Sequence, residues 1–518
     1  MRAVMDTDQG PDNGLASRSI VAASWEFGSV IGQAAMQLAV MTILARLIPP
    51  AEFGLYAIVN ISIVLISLVA EIGVGTAVVQ RKTLTDGFLH TAFLTSIGLG
   101  LLGTVVTWLA SPLIAGFFKQ PGVVPMVRAA GFALFITGYV VVAQSLLERE
   151  LLYKKLAVIN VVSYAIGYGC IGTVLALLRV GAWAIVFASL AQNLIRALML
   201  IRMTKGKKTR AKAFSKIDFK EILRFCTGVS IGKIFNSLAQ QIDFLVVGRI
   251  MGAVPLGLYQ MGNQIMDLPR RFLVGVIDRV MYSAFTRIQD DEARRRRAYV
   301  QSLELANVVL LPLAAFMIII APEAVALGLG DKWKDLVPPL QIMLLQVPLR
   351  ASVRMGDITG TAMGRVYTIG GLKFLYAGMI GIAAFVGVRW GLIGVTVAVT
   401  LAVLVNLVMM VRFTMTYVDV SVADYLRTWL PAVWMGAVVA VGAIPCAWIM
   451  RHQFGSNILT ALAVTLVTAL LVTLTVWGRP RTIGASALQV IMDFGRRFPF
   501  LARFCSALQK RAGGGTAP

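Results

Sequence analysis

The sequence is poor in charged residues and in the side chains that most often carry out catalysis. Only 14% of its 518 residues are Asp, Glu, Lys or Arg, whereas 58% are hydrophobic. This balance excludes a soluble domain of ordinary polarity. The two histidines, His90 and His452, are far apart, and none of the four cysteines has a CxxC neighbour. We therefore expect no disulfide framework, no metal, no cofactor and no enzymatic activity.

Long polar segments are also absent. The gaps between apolar stretches reach at most about 20 residues, which is short beside a folded domain. A membrane glycosyltransferase or polymerase normally needs a sizeable periplasmic loop or a cytoplasmic catalytic segment, and these gaps are too short for either. Any function must lie inside the apolar bundle or on short loops.

The sequence instead contains apolar stretches of bilayer length. A transmembrane helix needs roughly 20 largely apolar residues, and about fourteen stretches meet that requirement. They are Val21–Leu44, Leu55–Val79, Phe88–Ala110, Val123–Leu146, Leu156–Leu178, Ala182–Ile201, Ile222–Val247, Leu256–Phe285, Leu305–Leu327, Leu336–Met363, Val366–Val388, Leu392–Val411, Leu426–Met450 and Ile458–Trp477. The fold class predicted is an all-α integral membrane protein with 12 to 14 spans.

Lys and Arg residues are sorted into alternate gaps between these stretches. One set of gaps holds about thirty cations, including the run from Arg202 to Lys220, which under the positive-inside rule makes this set cytoplasmic. The other set holds only Arg46, Lys119, Arg179, Arg249, Lys332, Lys334, Arg389 and Arg451. We expect a bacterial inner-membrane protein with both termini in the cytoplasm. The net charge of +23 is then explained by the positive-inside rule and by attraction to anionic lipid headgroups. We therefore expect no nucleic-acid partner.

The two halves of the chain repeat one another. Arg46, Gly54-Leu55-Tyr56 and Asn60 recur with the same spacing as Arg249, Gly257-Leu258-Tyr259 and Asn263. Two six-helix lobes are expected of a transporter whose site lies between pseudo-symmetric bundles. The predicted divisions are an N-terminal tail (1–19), an N-lobe (20–202), a basic cytoplasmic linker (203–219), a C-lobe (220–415), an additional helix pair (424–478) and a cytoplasmic amphipathic tail (479–518).

Several motifs, taken in their order along the chain, resemble a known family. They are Glu71 to Arg81, Arg149 to Leu156, Gly252 to Pro269, and the run from Pro269 through Tyr282–Gln289, Tyr299 and Pro312 to Gly330-Asp331-Lys332-Trp333. Together they are similar to polysaccharide transporters, the Wzx-type oligosaccharide flippases. That family belongs to a superfamily that also includes multidrug and toxic-compound extruders and lipid II flippases.

The resemblance implies a flippase for an undecaprenyl-diphosphate-linked oligosaccharide. Such a protein moves the repeat unit from the cytoplasmic to the periplasmic leaflet during capsule, exopolysaccharide or O-antigen (lipopolysaccharide) assembly. It works by alternating access between the two lobes, without covalent chemistry. The implied partners are the membrane, the lipid-linked oligosaccharide, and the polymerase and glycosyltransferases of the same pathway.

Polar and charged side chains recur at helical spacing inside some spans. A charge at the bilayer centre costs about 2.5 to 3.5 kcal/mol on insertion scales, so those that persist usually face a cavity or a partner. The substrate-binding candidates are Arg350 and Arg354 of span ten, Arg270 and Arg271 of span eight, Lys233 and Gln240 of span seven, and Gln33 and Gln37 of span one. Arginine binds diphosphate bidentately and amides match sugar hydroxyls. Near a span end, however, Arg270 and Arg271 would need only snorkelling or structural ion pairs.

Four carboxylates are candidates for coupling transport to a proton or sodium gradient. They are Asp243, Glu71, Asp357 and Asp267. Asp243 lies deeper in its span, whereas Glu71 precedes Gly73 and Gly75 and has the alternative role of a helix-break residue near the interface. Two other functions remain open for the chain as a whole. One is a multidrug or cation extruder of the same fold, and the other is a non-transporting lipid-binding scaffold.

Overall fold

The computed structural model describes residues 32–33, 35–70, 73–81, 83–204, 214–222, 237–269 and 291–478. All regular secondary structure in these ranges is helical. The two predicted tails, before residue 20 and after residue 478, lie outside the described residues.

The described residues up to position 222 form eight helices. We number them α1 (Ala35–Leu47), α2 (Pro50–Ala70), α3 (Val74–Gln80), α4 (Asp86–Phe118), α5 (Val123–Arg149), α6 (Tyr153–Tyr164), α7 (Ala182–Thr204) and α8 (216–222). A π-helical segment, Ala165–Gly172, and a last turn, Thr173–Leu177, continue α6.

The stretches 242–269 and 291–478 form nine further helices. They are α9 (Ile242–Met251), α10 (253–269), α11 (Glu292–Ala324), α12 (Val337–Leu344), α13 (Gln346–Ala362), α14 (Val366–Gly387), α15 (Gly391–Val418), α16 (Val422–Gln453) and α17 (Asn457–Gly478). A π-helical segment, Val325–Leu329, continues α11, and a 3-10 helix, Asp331–Leu336, precedes α12.

Ten helical stretches of the described residues are long and apolar enough to cross a bilayer. They lie where the sequence predicts spans, and the helix α1 covers the described part of the first. The protein is therefore a multi-pass, all-α integral membrane protein, as predicted. Helices suit this environment because each satisfies its own backbone hydrogen bonds in a solvent that offers none.

The second predicted span is broken rather than continuous. The helix α2 ends at Ala70 and α3 begins at Val74, with Gly73 in the left-handed conformation at φ 49°. Glycine adopts this conformation without the Cβ clash that other residues incur. The predicted unwinding near Gly73 is thus present, although Glu71 itself lies outside the described residues.

The chain divides into two compact units. The first comprises Met1–Ile48, Ser62–Gly116 and Gln120–Ser230, and the second comprises Pro49–Ile61, Phe117–Lys119 and Ile231–Pro518. The divisions predicted from the sequence at residues 202, 220 and 415 stay predictions.

Within the first unit, α8 is fastened to the segment between α3 and α4. Arg81 forms ion pairs with Asp218 (3.1 Å) and Glu221 (3.3 Å) and lies over the ring of Phe88. Ile222 is buried in a cluster with Phe88 and neighbouring apolar residues. The end of the predicted linker (216–219) and the first residues of the predicted C-lobe (220–222) are therefore packed onto the first unit.

Within the second unit, the predicted additional helix pair is closely packed and not loosely appended. The helix α16 lies along α11 and is joined to it near both ends. Arg296 pairs with Asp424 at one end, and Arg451 binds both oxygens of Glu323 at the other, at 2.7 and 2.9 Å. Buried apolar residues of α16, including Val439 and Ala443, fill the space between these pairs.

Candidate functional site

A buried carboxylate and a buried tyrosine meet where α9 and α10 form a tight hairpin in the second unit. Gly252, with φ 86°, joins the two helices. Asp243 accepts a hydrogen bond from the Tyr259 hydroxyl at 2.7 Å and another from the Phe244 backbone N–H at 3.0 Å. Asp243 is 4% exposed and Tyr259 2%. Burial of a carboxylate inside a span is costly without such partners, so these bonds hold Asp243 in place.

A second group of polar side chains lies on α13. The Arg350 Nε donates a hydrogen bond to the Gln346 Oε1 at 3.0 Å, and the Gln346 Nε2 donates to the Thr400 hydroxyl of α15 at 2.8 Å. Gln346 is almost fully buried. Its amide thus connects the guanidinium to a neighbouring helix and restricts the orientation of Arg350.

These two groups belong to one electrostatic cluster. Arg350 lies within electrostatic range of the carboxylate of Asp243, to which Tyr259 is hydrogen-bonded, and of the carboxylate of Asp267 on α10. We call Arg350, Gln346, Asp243 and Tyr259 the Arg350 site. It combines one cation, one carboxylate and two neutral hydrogen-bonding groups from three helices.

Two further predicted residues continue along α13. Arg354 is exposed, on a helix whose other residues are mostly buried. Asp357 is 5% exposed and forms an ion pair with Lys373 of α14. The second carboxylate oxygen of Asp357, Oδ1, is buried and has no hydrogen-bond partner among the described residues.

The helical period explains why these residues share one side of α13. Residues 350, 354 and 357 are spaced by four and then three positions, so their side chains follow one another along the helix surface. The helix runs without a break from Gln346 to Ala362. The helical spacing predicted for these polar residues is therefore present in the structure, whereas their role in binding stays a prediction.

The structure places the other predicted residues in different surroundings. Gln240 is exposed in a turn just before α9, so the span-seven stripe does not continue there as one helix. Asp267 is half-buried on α10, and Gln33 and Gln37 are half-buried in the first unit. The remaining candidates, Glu71, Lys233, Arg270 and Arg271, lie outside the described residues.

Sequence reasoning missed several residues that bond to Asp243 or to side chains of α13. They are Tyr259, Gln346, Lys373 and Thr400. Two signals could have found some of them, because Gln346 lies four residues before Arg350 and Tyr259 belongs to the repeated Gly-Leu-Tyr motif. Nothing in the local sequence points to Thr400 or Lys373, which reach Gln346 and Asp357 of α13 only because their helices pack against it.

The arrangement is suited to binding an anion beside a group that can be protonated. A guanidinium held by a neutral amide keeps its charge and its planar set of donors. The neighbouring carboxylate of Asp243 can exist in two charge states. Among the described residues, no cluster of three or more His, Cys, Asp or Glu side chains could hold a metal ion.

Known proteins share both the sequence pattern and the fold. The lipopolysaccharide biosynthesis protein WzxC of Escherichia coli K12 is 26% identical over 399 residues, covering 76% of this chain and 80% of the relative. The succinoglycan biosynthesis transport protein ExoT of Rhizobium meliloti is 24% identical over 323 residues, covering 62% and 64%. The lipid II flippase MurJ, in an inward closed conformation, superimposes with a TM-score of 0.68 at 14% identity, covering 89% of this chain and all of MurJ.

A family model identifies the chain more directly. The model described as a polysaccharide biosynthesis protein matches residues 43–338, more than half of the sequence. The match includes the repeated Gly-Leu-Tyr motifs and the Asp243–Tyr259 pair. The chain therefore belongs to the polysaccharide biosynthesis protein family of polysaccharide transporters.

Proposed function

We propose that this protein is a flippase for an undecaprenyl-diphosphate-linked oligosaccharide. It moves the repeat unit from the cytoplasmic to the periplasmic leaflet of the inner membrane, by alternating access, during synthesis of a surface polysaccharide. The substrate's diphosphate binds the Arg350 site together with Arg354, one helical turn further along α13. No bond is made or broken in the transported molecule.

The observation that carries this proposal is the paired arginines of α13. Arg350 and Arg354 lie within an apolar span, where a cation persists when it faces water or a partner. Two guanidinium groups one helical turn apart match the two phosphates of a diphosphate better than they match a cationic drug. The hydrogen bond that Arg350 donates to Gln346 orients the guanidinium before the substrate arrives.

The comparisons support the same function. The names of WzxC and ExoT place those proteins in polysaccharide biosynthesis, and ExoT is called a transport protein. MurJ is called a lipid II flippase. A shared family with the first two and a shared fold with the third fit the transport of a lipid-linked sugar.

We propose Asp243 as the carboxylate that couples transport to a proton or sodium gradient. It is buried, it lies within the electrostatic reach of Arg350, and among the described residues it accepts hydrogen bonds from a tyrosine hydroxyl and a backbone N–H. A change in the charge of Asp243 alters the field at Arg350 and therefore its affinity for an anion. An Asp243→Asn variant should bind substrate but lose the dependence of transport on the gradient.

The test is the fate of the lipid-linked oligosaccharide in cells. Deletion of the gene should stop polymer export and leave the lipid-linked repeat unit accumulating with its glycan on the cytoplasmic side of the membrane. The side is measured by the access of an impermeant periodate reagent to sugars in intact spheroplasts and in lysed ones. Wild-type protein should restore export, and Arg350→Ala present at a normal level should not.

The outcomes separate the rival functions. Unchanged distribution of the glycan between the leaflets in the deletion strain would remove the flippase assignment. Sensitivity of the deletion strain to cationic drugs, with normal polymer export, would instead support an extruder. Normal export together with loss of a pathway enzyme from the membrane would support a lipid-binding scaffold.

A further inference from the structure

A group of aromatic and polar side chains lies in the middle of two spans of the first unit. Tyr164 and Tyr168 stack with ring centroids 5.1 Å apart and planes 23° apart. Tyr168 belongs to the π-helical segment that continues α6. Gln192 and Arg196 lie one turn apart on α7. All four side chains are half-buried.

A close helix approach brings the two pairs together. A Cβ on Gly167 would lie 2.7 Å from the Cβ of Gln192 and 2.8 Å from its Cα, so only glycine fits at this position. Tyr168 follows Gly167 directly in the sequence. Tyr168 and Gln192 therefore lie at the same depth in their two helices.

This group faces away from the apolar surface of both helices. The exposed apolar residues of α7 include Leu194 and Leu198. Gln192 and Arg196 are each two positions from Leu194, which turns their side chains about 160° away from it. On the π-helical segment that continues α6, Tyr168 lies two positions after the exposed Ile166, so its side chain also points away from that residue. The polar side chains are thus directed toward the interior of the first unit.

A neighbouring helix orients the arginine. The Arg196 Nη2 donates a hydrogen bond to the Gln144 Oε1 at 2.9 Å, and the Gln144 Nε2 donates to the Glu148 Oε1 at 2.7 Å. Gln144 on α5 therefore stands between the guanidinium and the carboxylate in this chain of bonds. A sequence without Gln144 would lose the bridge that fixes the position of Arg196.

We propose that Tyr164, Tyr168, Gln192 and Arg196 form a sugar-binding site, separate from the Arg350 site. The inference rests on the proposed function and deepens it, because it assigns the glycan of the same substrate to the first unit. A pyranose ring has a face of C–H groups and a rim of hydroxyls. The aromatic faces carry partial negative charge and attract the C–H groups. The amide and the guanidinium supply hydrogen bonds for the rim.

The π-helical segment fits this role. It widens the helix locally, and such segments occur frequently at functional sites. Here it spans Ala165–Gly172 and contains both the close-approach residue Gly167 and Tyr168. The same segment therefore sets the helix spacing and presents the ring.

The test compares two ligands on purified full-length protein. One is undecaprenyl diphosphate, and the other is the oligosaccharide-linked lipid extracted from a host that lacks the gene. Wild-type protein should bind the oligosaccharide lipid more tightly than the bare diphosphate, as measured by native mass spectrometry or thermophoresis. Tyr168→Leu, which keeps apolar volume without a ring, should weaken binding of the oligosaccharide lipid by about tenfold, or about 1.4 kcal/mol.

Bare undecaprenyl diphosphate should bind this variant as it binds wild type. Tyr168→Phe should keep most of the affinity for the oligosaccharide lipid because the ring remains. Tyr139→Leu is the matched control, since Tyr139 is an exposed tyrosine of α5 in the same unit. Arg350→Ala should weaken binding of both ligands.

The remaining outcomes would each contradict one of the two proposals. Equal affinities of Tyr168→Leu and wild type for the oligosaccharide lipid would overturn the sugar site, as would an equal loss for both ligands. No preference of wild type for the oligosaccharide lipid would also overturn it while leaving the flippase proposal intact. If wild type bound neither ligand, the proposed function itself would fail.

Discussion

Gly54 and Gly257 hold equivalent positions in the internal repeat and meet at a helix crossing inside the second unit. A Cβ on Gly54 would lie 1.8 Å from the Ala253 carbonyl oxygen, and a Cβ on Gly257 would lie 2.0 Å from the Pro50 carbonyl oxygen. Pro50 and Ala253 each lie four residues before the corresponding glycine. The contact is therefore reciprocal, with each helix placing its glycine against the backbone of the other.

Replacing either glycine should open this crossing. In Gly54→Ala or Gly257→Ala the added methyl meets backbone, which cannot rotate away, so the helices must separate. We expect a loss of stability of about 1 to 3 kcal/mol, typical of an overpacked contact. The measurement is the unfolding temperature of the purified protein in detergent, together with polymer export in cells.

A matched control is available in the same unit. Gly378 lies within α14 and has no heavy atom within 4 Å of the position that a Cβ would take. Gly378→Ala should therefore leave the unfolding temperature unchanged or raise it slightly, because alanine favours the helix. If Gly54→Ala and Gly378→Ala changed the unfolding temperature equally, the helix crossing would not be what makes Gly54 important for stability.

Arg350 should be needed for polymer export, and its planar shape should matter as well as its charge. We expect Arg350→Ala to abolish export at a normal protein level, because charge-assisted hydrogen bonds worth about 1.5 to 3 kcal/mol each are lost. Arg350→Lys should be partly active, since a point charge cannot reproduce the planar donors.

Gln346→Leu should reduce export, but by less than Arg350→Ala does. It keeps the charge of Arg350 but removes the acceptor at 3.0 Å and the bond to Thr400. The measurement is export normalised to protein level, with binding of undecaprenyl diphosphate measured on purified protein. Wild-type binding by Gln346→Leu would show that Arg350 needs no such support.

The ion pair between Glu323 and Arg451 should fix α16 to α11. The Glu323 side chain is 3% exposed, so Arg451→Ala leaves a carboxylate buried without its cation. The double variant that also carries Glu323→Ala should lose less stability than the two single losses added together. The difference, which is the coupling energy of the pair, should be about 0.5 to 3 kcal/mol. Unfolding temperatures of the four proteins measure that coupling.

An exposed pair of the same helix is the control for this experiment. Arg294 pairs with Asp291 at 3.1 Å, and the two side chains are 72% and 45% exposed. Exposed pairs usually contribute about 0 to 1 kcal/mol, so Arg294→Ala should change little. Additive effects of Glu323→Ala and Arg451→Ala would show that the buried pair does not couple the two helices.

Topology can be tested at four loops. The distribution of cations predicts that reporters fused after Lys208 and Arg296 lie in the cytoplasm, and that those fused after Lys119 and Lys332 lie in the periplasm. Alkaline phosphatase is active in the periplasm, and a fluorescent protein is active in the cytoplasm. Phosphatase activity at Lys208 would reverse the predicted orientation.

The sequence predicts the spans well because their signal is local. Each span needs only a sufficient number of consecutive apolar residues, so its limits can be found without knowing its neighbours. The alignment of Arg350, Arg354 and Asp357 along α13 is local for the same reason, since it follows from the helical period alone. Glycine at position 73 likewise marks the break between α2 and α3.

What surrounds those residues was decided only by the tertiary structure. Asp243 lies within reach of Arg350, Gln346 bonds Thr400, and Lys373 pairs with Asp357 because separate helices pack side by side. The π-helical segment that holds Tyr168 packs against Gln192 in the same way, through the close approach at Gly167. Helix packing in a membrane depends on shape and interhelical hydrogen bonds more than on hydrophobicity, and the apolar pattern that identifies each span carries little information about either.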